Sequence, residues 1–177
     1  MRVERTFAFI DLCGFTAFTE SEGDQRAVEV LGDFRACVRK VSSDHGVRVA
    51  KWLGDGAMFV AVDGGGALVD AVLEVERHFD EIQAPLALRA GMARGPVILF
   101  EGDDYIGTAV NLASRLCDIA APHEVLATPS ITEVPDTAVV EPGGPVKIPG
   151  FSRRVPVVKL RRRGHWATTS STASRSA

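Results

Sequence analysis

Three cysteines among 177 residues are too few, and the wrong parity, for a disulfide framework. Cys13, Cys37 and Cys117 are widely separated, and no Cys/His spacing resembles a zinc site. A reducing compartment is expected. Charge of one sign is also missing: 20 Lys and Arg against 23 Asp and Glu leave a net charge of −3. That balance gives no general affinity for nucleic acid or an anionic membrane. No apolar run approaches the roughly 20 residues of a membrane span, and the start, MRVERTFAFIDL, carries too short an apolar run for a signal peptide. The expectation is a cytoplasmic protein with no membrane insertion. The first strand-like run lies so near the start that no attached sensor module is expected. No internal repeat is evident. The one glycine-dense stretch, Asp63-Gly64-Gly65-Gly66, lacks the P-loop Lys-Ser/Thr and the dinucleotide spacing, so it reads as a connector.

What is present is an ordinary globular balance, 46% apolar and 24% charged, in a length that suits one domain with its own core. Arg5–Asp11 reads as a buried strand ending in an acid, followed by a Gly turn. From Gly23 to His45 apolar residues recur at helical spacing (Ala27, Val30, Leu31, Phe34, Val38, Val41), with Asp24 as N-cap and Gly46 as stop. Val47–Leu53 and Ala57–Val62 are strands around Gly54-Asp55-Gly56, a strong hairpin signal. A second amphipathic helix spans about 67–82. Leu86–Met92 and Pro96–Phe100 read as two more strands, split at Gly95-Pro96. Glu101–Thr108 is a polar loop, and Val110–Ala120 a helix with Asn111 and Arg115 one turn apart on one face. Short strands follow at Glu124–Thr128, Thr137–Val140, Val146–Ile148 and Val155–Leu160. From Arg161 the composition turns Arg-, Ser- and Thr-rich, and 161–177 is expected to be a disordered tail outside a 1–160 domain.

Strand, helix, strand, strand, helix, strand is the order of the split βαβ, ferredoxin-like arrangement. The expected fold class is α+β: an antiparallel sheet with helices on one face and short extra C-terminal strands. In that sheet the first strand neighbours the hairpin, so Asp11 and Asp55 converge. Two adjacent carboxylates repel unless a cation joins them, and two hard oxygen ligands suit Mg²⁺ or Mn²⁺.

FAFIDLCGFT, KWLGDG and DYIGTAVNLASRL, in this order and at these separations, resemble the catalytic domain of class III nucleotidyl cyclases, over about 6–160. The resemblance implies a head-to-tail homodimer with shared active sites. It assigns metal binding, two Mg²⁺ or Mn²⁺ per site, to Asp11, Asp55 and Ile10. It makes Lys51 and Asp104 the purine-reading pair, Asn111 the ribose-orienting residue and Arg115 the arginine that stabilises the transition state. Phe15 and Thr16 match a loop whose backbone N–H groups hold the triphosphate. The base can be reasoned from the residue types. Adenine shows an acceptor at N1 and a donor at its amino group, which a Lys donor and an Asp acceptor complement; guanine reverses both. The expected substrate is therefore ATP and the product cyclic AMP.

Departures accompany the match. Where many relatives have a Lys-Gly near the late strands, this sequence has VKIPGFSRR, with Pro149 at the matching place; Lys147, Arg153 and Arg154 are the alternatives for a triphosphate contact. Trp52 is bulkier than the usual hairpin residue, and the arm after Phe100 is short. Two other readings stand beside an active cyclase. One is a catalytically weak, nucleotide-binding regulatory partner that needs another cyclase chain. The other is a diguanylate-cyclase-like enzyme, disfavoured by the Asn-x-x-x-Arg helix and by the lack of a Gly-Gly-acidic-acidic-Phe hairpin.

Overall fold

Alternation along the first strand decides what each face of the sheet meets. In the computed structural model, which describes residues 2–102 and 104–164, β1 runs Arg2–Leu12. Ala8, Ile10 and Leu12 point into one core, while Phe7 belongs to a second on the opposite face. The first core is closed by α2 (Asp24–His45) and α3 (Gly66–Glu81), whose buried stripes include Phe34, Val38, Leu68 and Val72. Beneath them lie Ala57 and Phe59 of β3 (Gly56–Ala61) and Leu88, Ala90 and Met92 of β4 (Leu88–Phe100).

The other face is covered by α4 (Thr108–Ile119), which corrects the expectation of helices on one face only. Ala109 and Ala113 pack there on Phe7, Met58, Val60, Ala93 and Val97. Gly91 permits the approach: a Cβ at this position would lie 2.2 Å from the Ala113 carbonyl oxygen and from the Cys117 nitrogen. That requirement belongs to the tertiary contact and leaves no periodic trace in the sequence.

The sheet order is β2-β3-β1-β4-β6-β8-β7, with β2 at Arg48–Leu53, β6 at Val125–Ala127, β7 at Ala138–Val146 and β8 at Val155–Arg162. β5 (Asp104–Ile106) pairs with the end of β4. Its first four members, β2-β3-β1-β4, are the split βαβ core, and β1 runs antiparallel to both neighbours. The sheet is not antiparallel throughout, because β4 and β6 are parallel.

Several boundaries differ from the sequence reading. The two strands expected around Gly95-Pro96 are one continuous β4, paired with β1 from Arg2↔Ile98 to Leu12↔Leu88. Pro96 falls between the residues that pair with β6 (Ala90–Met92) and those that pair with β5 (Ile98–Phe100), where no strand of the described residues lines β4's other edge. A strand tolerates a missing N–H there. The polar loop after Phe100 contains β5. The strands expected at 137–140 and 146–148 merge into β7, bulged between Pro142 and Gly144, while Ile148 lies buried outside it with Leu116, Leu126 and Val157. Gly23, not Asp24, caps α2, and Gly46 ends it in a left-handed conformation as expected. α1 (Phe15–Glu22) is a short helix where a turn was expected. Finally, β8 continues through Arg161 and Arg162, which pair with Glu141 at 3.2 Å and Glu74 at 2.5 Å. The rest of the expected tail, from residue 165, lies outside the described residues.

Candidate active site

The acidic corner is built by strand register. Asp11 stands opposite Gly56 on β3, and the carbonyl of Asp55 accepts the N–H of Leu12 at 3.3 Å. The two acids expected to converge are therefore neighbours. Gly56 keeps the space between them open: a Cβ would lie 2.8 Å from the Ile10 carbonyl oxygen and 3.2 Å from Asp11 Oδ1. Ile10's side chain is buried on the far face of the sheet, so what it offers this corner is its carbonyl.

On its other side Asp11 faces Arg89 across the β1–β4 ladder. Arg89 donates to Asp11 Oδ2 from Nη2 at 2.7 Å and from Nε at 3.1 Å, and from Nη1 to the Asp118 carbonyl at 2.8 Å. Burial pushes the Asp11 carboxyl above its ordinary range; the Arg89 hydrogen bond opposes this, and the neighbouring charge of Asp55 adds to it. Oδ2 is thus committed, while Oδ1 faces the gap over Gly56. The donor set is two carboxylates and a carbonyl, hard oxygens that fit Mg²⁺ or Mn²⁺. Among the described residues no group of three or more His, Cys, Asp or Glu side chains is placed to hold a metal, so such a cation would depend on water and substrate oxygens for its remaining ligands.

The β2 strand of the hairpin carries a charge that is already paired. Lys51, on β2, donates to Asp104 Oδ1. Asp104 opens β5, held opposite Phe100 by the return of the chain along β4. Both side chains remain partly exposed, at 42% and 53%, so the pair is accessible to a ligand.

On α4, Asn111 and Arg115 share the exposed face, opposite the buried stripe of Ala109, Ala113, Leu116 and Cys117. Arg115 Nη1 lies 3.3 Å from Asp118 Oδ2. Within one chain it is paired there, not with Asp11 or Asp55. Phe15 and Thr16 open α1 after Gly14, which sits at φ +75°. They correct the expected loop to a helix N-terminus, whose first N–H groups have no intrahelical acceptor. Lys147 donates to the carbonyls of Phe151 and Ser152 at 3.1 and 3.3 Å, and Arg154 to that of Pro145 at 3.2 Å. Both tie the β7–β8 connection together, while Arg153 is exposed.

Sequence reasoning missed Arg89 and Asp118. The available signal was an arginine opening an apolar strand, but its meaning needs the register that sets it against Asp11. Burial pushes the Cys37 thiol up to about 11 and that of Cys117 up to about 12, away from the reactive thiolate.

No protein-family model matches. The crystal structure of the adenylyl cyclase CyaB from P. aeruginosa superposes with a TM-score of 0.79 at 26% identity, covering 92% of this chain and 97% of that one. An adenylate cyclase of Streptomyces coelicolor is 37% identical over 133 residues, 74% of this chain and 34% of the relative. An uncharacterized protein of Mycobacterium tuberculosis is 35% identical over 153 residues, 86% of this chain and 40% of the relative. The chain has the fold of the class III nucleotidyl cyclase catalytic domain and is similar to it in sequence. It spans at most about two fifths of the length of those curated relatives. None of its described helices is long and apolar enough to cross a membrane.

Proposed function

We propose that this chain is an adenylate cyclase module that converts ATP to 3′,5′-cyclic AMP and pyrophosphate, in shared sites of a head-to-tail homodimer. The observation that carries the reading is the Lys51–Asp104 pair. An ammonium donor beside a carboxylate acceptor complements N1 and the 6-amino group of adenine, and meets guanine donor against donor. The names of the relatives agree, since both the Streptomyces coelicolor protein and the P. aeruginosa structure are adenylate cyclases.

The remaining residues take complementary parts. Asp11, Asp55 and the Ile10 carbonyl would hold the divalent cations, Mg²⁺ or Mn²⁺, two per site. When bound, such cations acidify the ribose 3′-hydroxyl and neutralise charge gathering at the α-phosphate. Asn111 orients the ribose so that the 3′-oxygen lies in line with the α-phosphorus. As the new O–P bond forms and the bond to pyrophosphate breaks, the Arg115 guanidinium spreads across the equatorial oxygens, a planar fork that lysine lacks. The N–H groups opening α1 at Phe15 and Thr16 receive triphosphate oxygens. Arg115 is paired with Asp118 in its own chain, and a head-to-tail partner would bring it to the acidic corner of the other protomer. An ATP-consuming enzyme with three free thiols fits a cytoplasmic setting.

The test supplies purified dimer with Mn²⁺ and either ATP or GTP, and measures both cyclic products. Cyclic AMP from ATP, with cyclic GTP product far lower, is the expected result. A confirmed dimer that makes neither product would overturn the proposal and favour the regulatory-partner reading.

A further inference from the structure

The turn that carries Asp55 is held from two sides. From β1, Leu12 donates its N–H to the Asp55 carbonyl. From α2, Arg35 donates through Nη2 to the carbonyl of Gly54 at 3.1 Å. Gly54 sits at φ +63°, a left-handed conformation that glycine adopts without strain, so the turn has little intrinsic stiffness of its own. The Arg35 guanidinium is itself fixed by stacking over Trp52, 5.3 Å from the ring centroid, and Arg39, one helical turn on, lies over the same ring at 5.2 Å. Trp52 anchors the assembly, since it is half-buried and packs on the main core.

Two features make this more than packing. Arg35 Nε is buried with no hydrogen-bond partner, and a buried donor left unpaired costs about 1–3 kcal/mol. Two like-charged guanidiniums also crowd one indole. An apolar residue at position 35 would avoid both costs but would leave the Gly54 carbonyl unheld. The hydrogen bond that Arg35 makes among the described residues goes to the residue immediately before the candidate metal-binding acid.

We infer that Arg35, stacked on Trp52, is a positioning residue that fixes the Gly54–Asp55 turn so that the Asp55 carboxylate faces the cation shared with Asp11. The inference rests on the reading of Asp11 and Asp55 given under Proposed function. It assigns a purpose to the bulky Trp52, which directly follows the base-reading Lys51 and lies three residues before Asp55. A partner that orients a metal-binding residue typically changes metal affinity by about 10–100-fold when removed.

The test measures Mn²⁺ binding to the dimer by electron paramagnetic resonance of the free ion, with 3′-deoxy-ATP present so that no cyclisation occurs. Arg35→Met, which keeps the stem and removes the donors, should weaken Mn²⁺ binding about tenfold. Arg35→Lys, which keeps a charge and a donor, should restore part of it. Arg39→Met removes a stacking partner but no bond to the turn, and should change Mn²⁺ binding by less than about twofold. Should Arg35→Met fail to fold, the Arg35→Lys and Arg39→Met pair carries the same contrast. Wild-type affinity in Arg35→Met, or equal losses in the Arg35 and Arg39 variants, overturns the inference. Asp55→Ala separates the two levels. If it too leaves Mn²⁺ binding intact, or the wild type binds none, the metal assignment itself falls, and the positioning role with it.

Discussion

The tip and the β2 strand of the β2–β3 hairpin carry opposite electrostatics. Along the strand unlike charges meet, and Lys51 and Asp104 satisfy each other within a single chain. At the tip like charges meet: Asp11 and Asp55 are neighbours, burial lifts the Asp11 carboxyl, and Arg89 neutralises one of its two oxygens. The Lys51–Asp104 pair is complete before any ligand arrives. The acidic tip remains short of positive charge, and such unresolved repulsion is what a divalent cation relieves. On the proposed reading, one hairpin would thus serve selectivity and chemistry by contrary means.

The harshest way to break this contrast is to remove the acidic tip. Asp55→Ala should abolish cyclase turnover while the thermal transition stays near that of the wild type, because a turn carboxylate contributes little to the core. Arg115→Ala should be inactive as well. Mixed together, the two inactive chains should regain roughly a quarter of wild-type activity, since half of the random dimers keep one intact site of two. If mixed dimers form and no activity returns, the sharing of sites between chains is wrong, although the metal assignment could stand.

Disturbing the pair on the strand should have a different signature. Lys51→Ala or Asp104→Ala leaves the acidic corner untouched, so the loss should fall on discrimination. The ratio of kcat/KM for ATP over GTP is expected to drop by roughly 10²-fold. Competing ATP and GTP in one reaction measures it directly. A variant equally slowed on both nucleotides, with the ratio kept, would remove the pair from base reading.

The contrast also explains what was legible in the sequence. Asp55 stood out because an Asp-Gly turn between apolar runs has a local signature, and Asp11 because an apolar strand ended in it. Their meeting followed from the element order alone. Lys51 with Asp104, and Phe15 with Thr16, rested on resemblance to the cyclases, since no periodicity links residues 53 positions apart. Arg89 escaped because its partner is set by register across β4, the strand misread as two at Pro96. The helix α4 was found from its pattern, but its face of the sheet was not, because that choice depends on the bare backbone of Gly91 admitting Ala113 and Cys117. Trp52 read only as an oversized hairpin residue, and Arg35 carried no signal, because their stacking depends on α2 lying against the β2–β3 turn.

A third carboxylate sharpens the comparison with the smallest expected effect. Glu76, on α3, is raised to about 8, by burial first and then by the charge of Asp80, with Arg161 opposing. It borders a cavity of about 900 Å³ beside the Asp80–His123 pair, whose Nδ1 to Oδ1 separation is 3.0 Å. Unlike Asp11, it has no arginine hydrogen-bonded to it among the described residues, so burial dominates its shift. From about pH 4.5 to about 8 the unfolded chain has lost this proton while the folded chain keeps it. The folded state therefore binds more protons, and its stability falls as pH rises through that window and levels off above it. Glu76→Gln cannot ionise. Its melting temperature should match the wild type near pH 5 and exceed it by about 5 °C at pH 9, as read by thermal scans at both pH values. An advantage equal at both would mean that the glutamate's size or hydrogen bonding, not its charge, sets the cost of burying it.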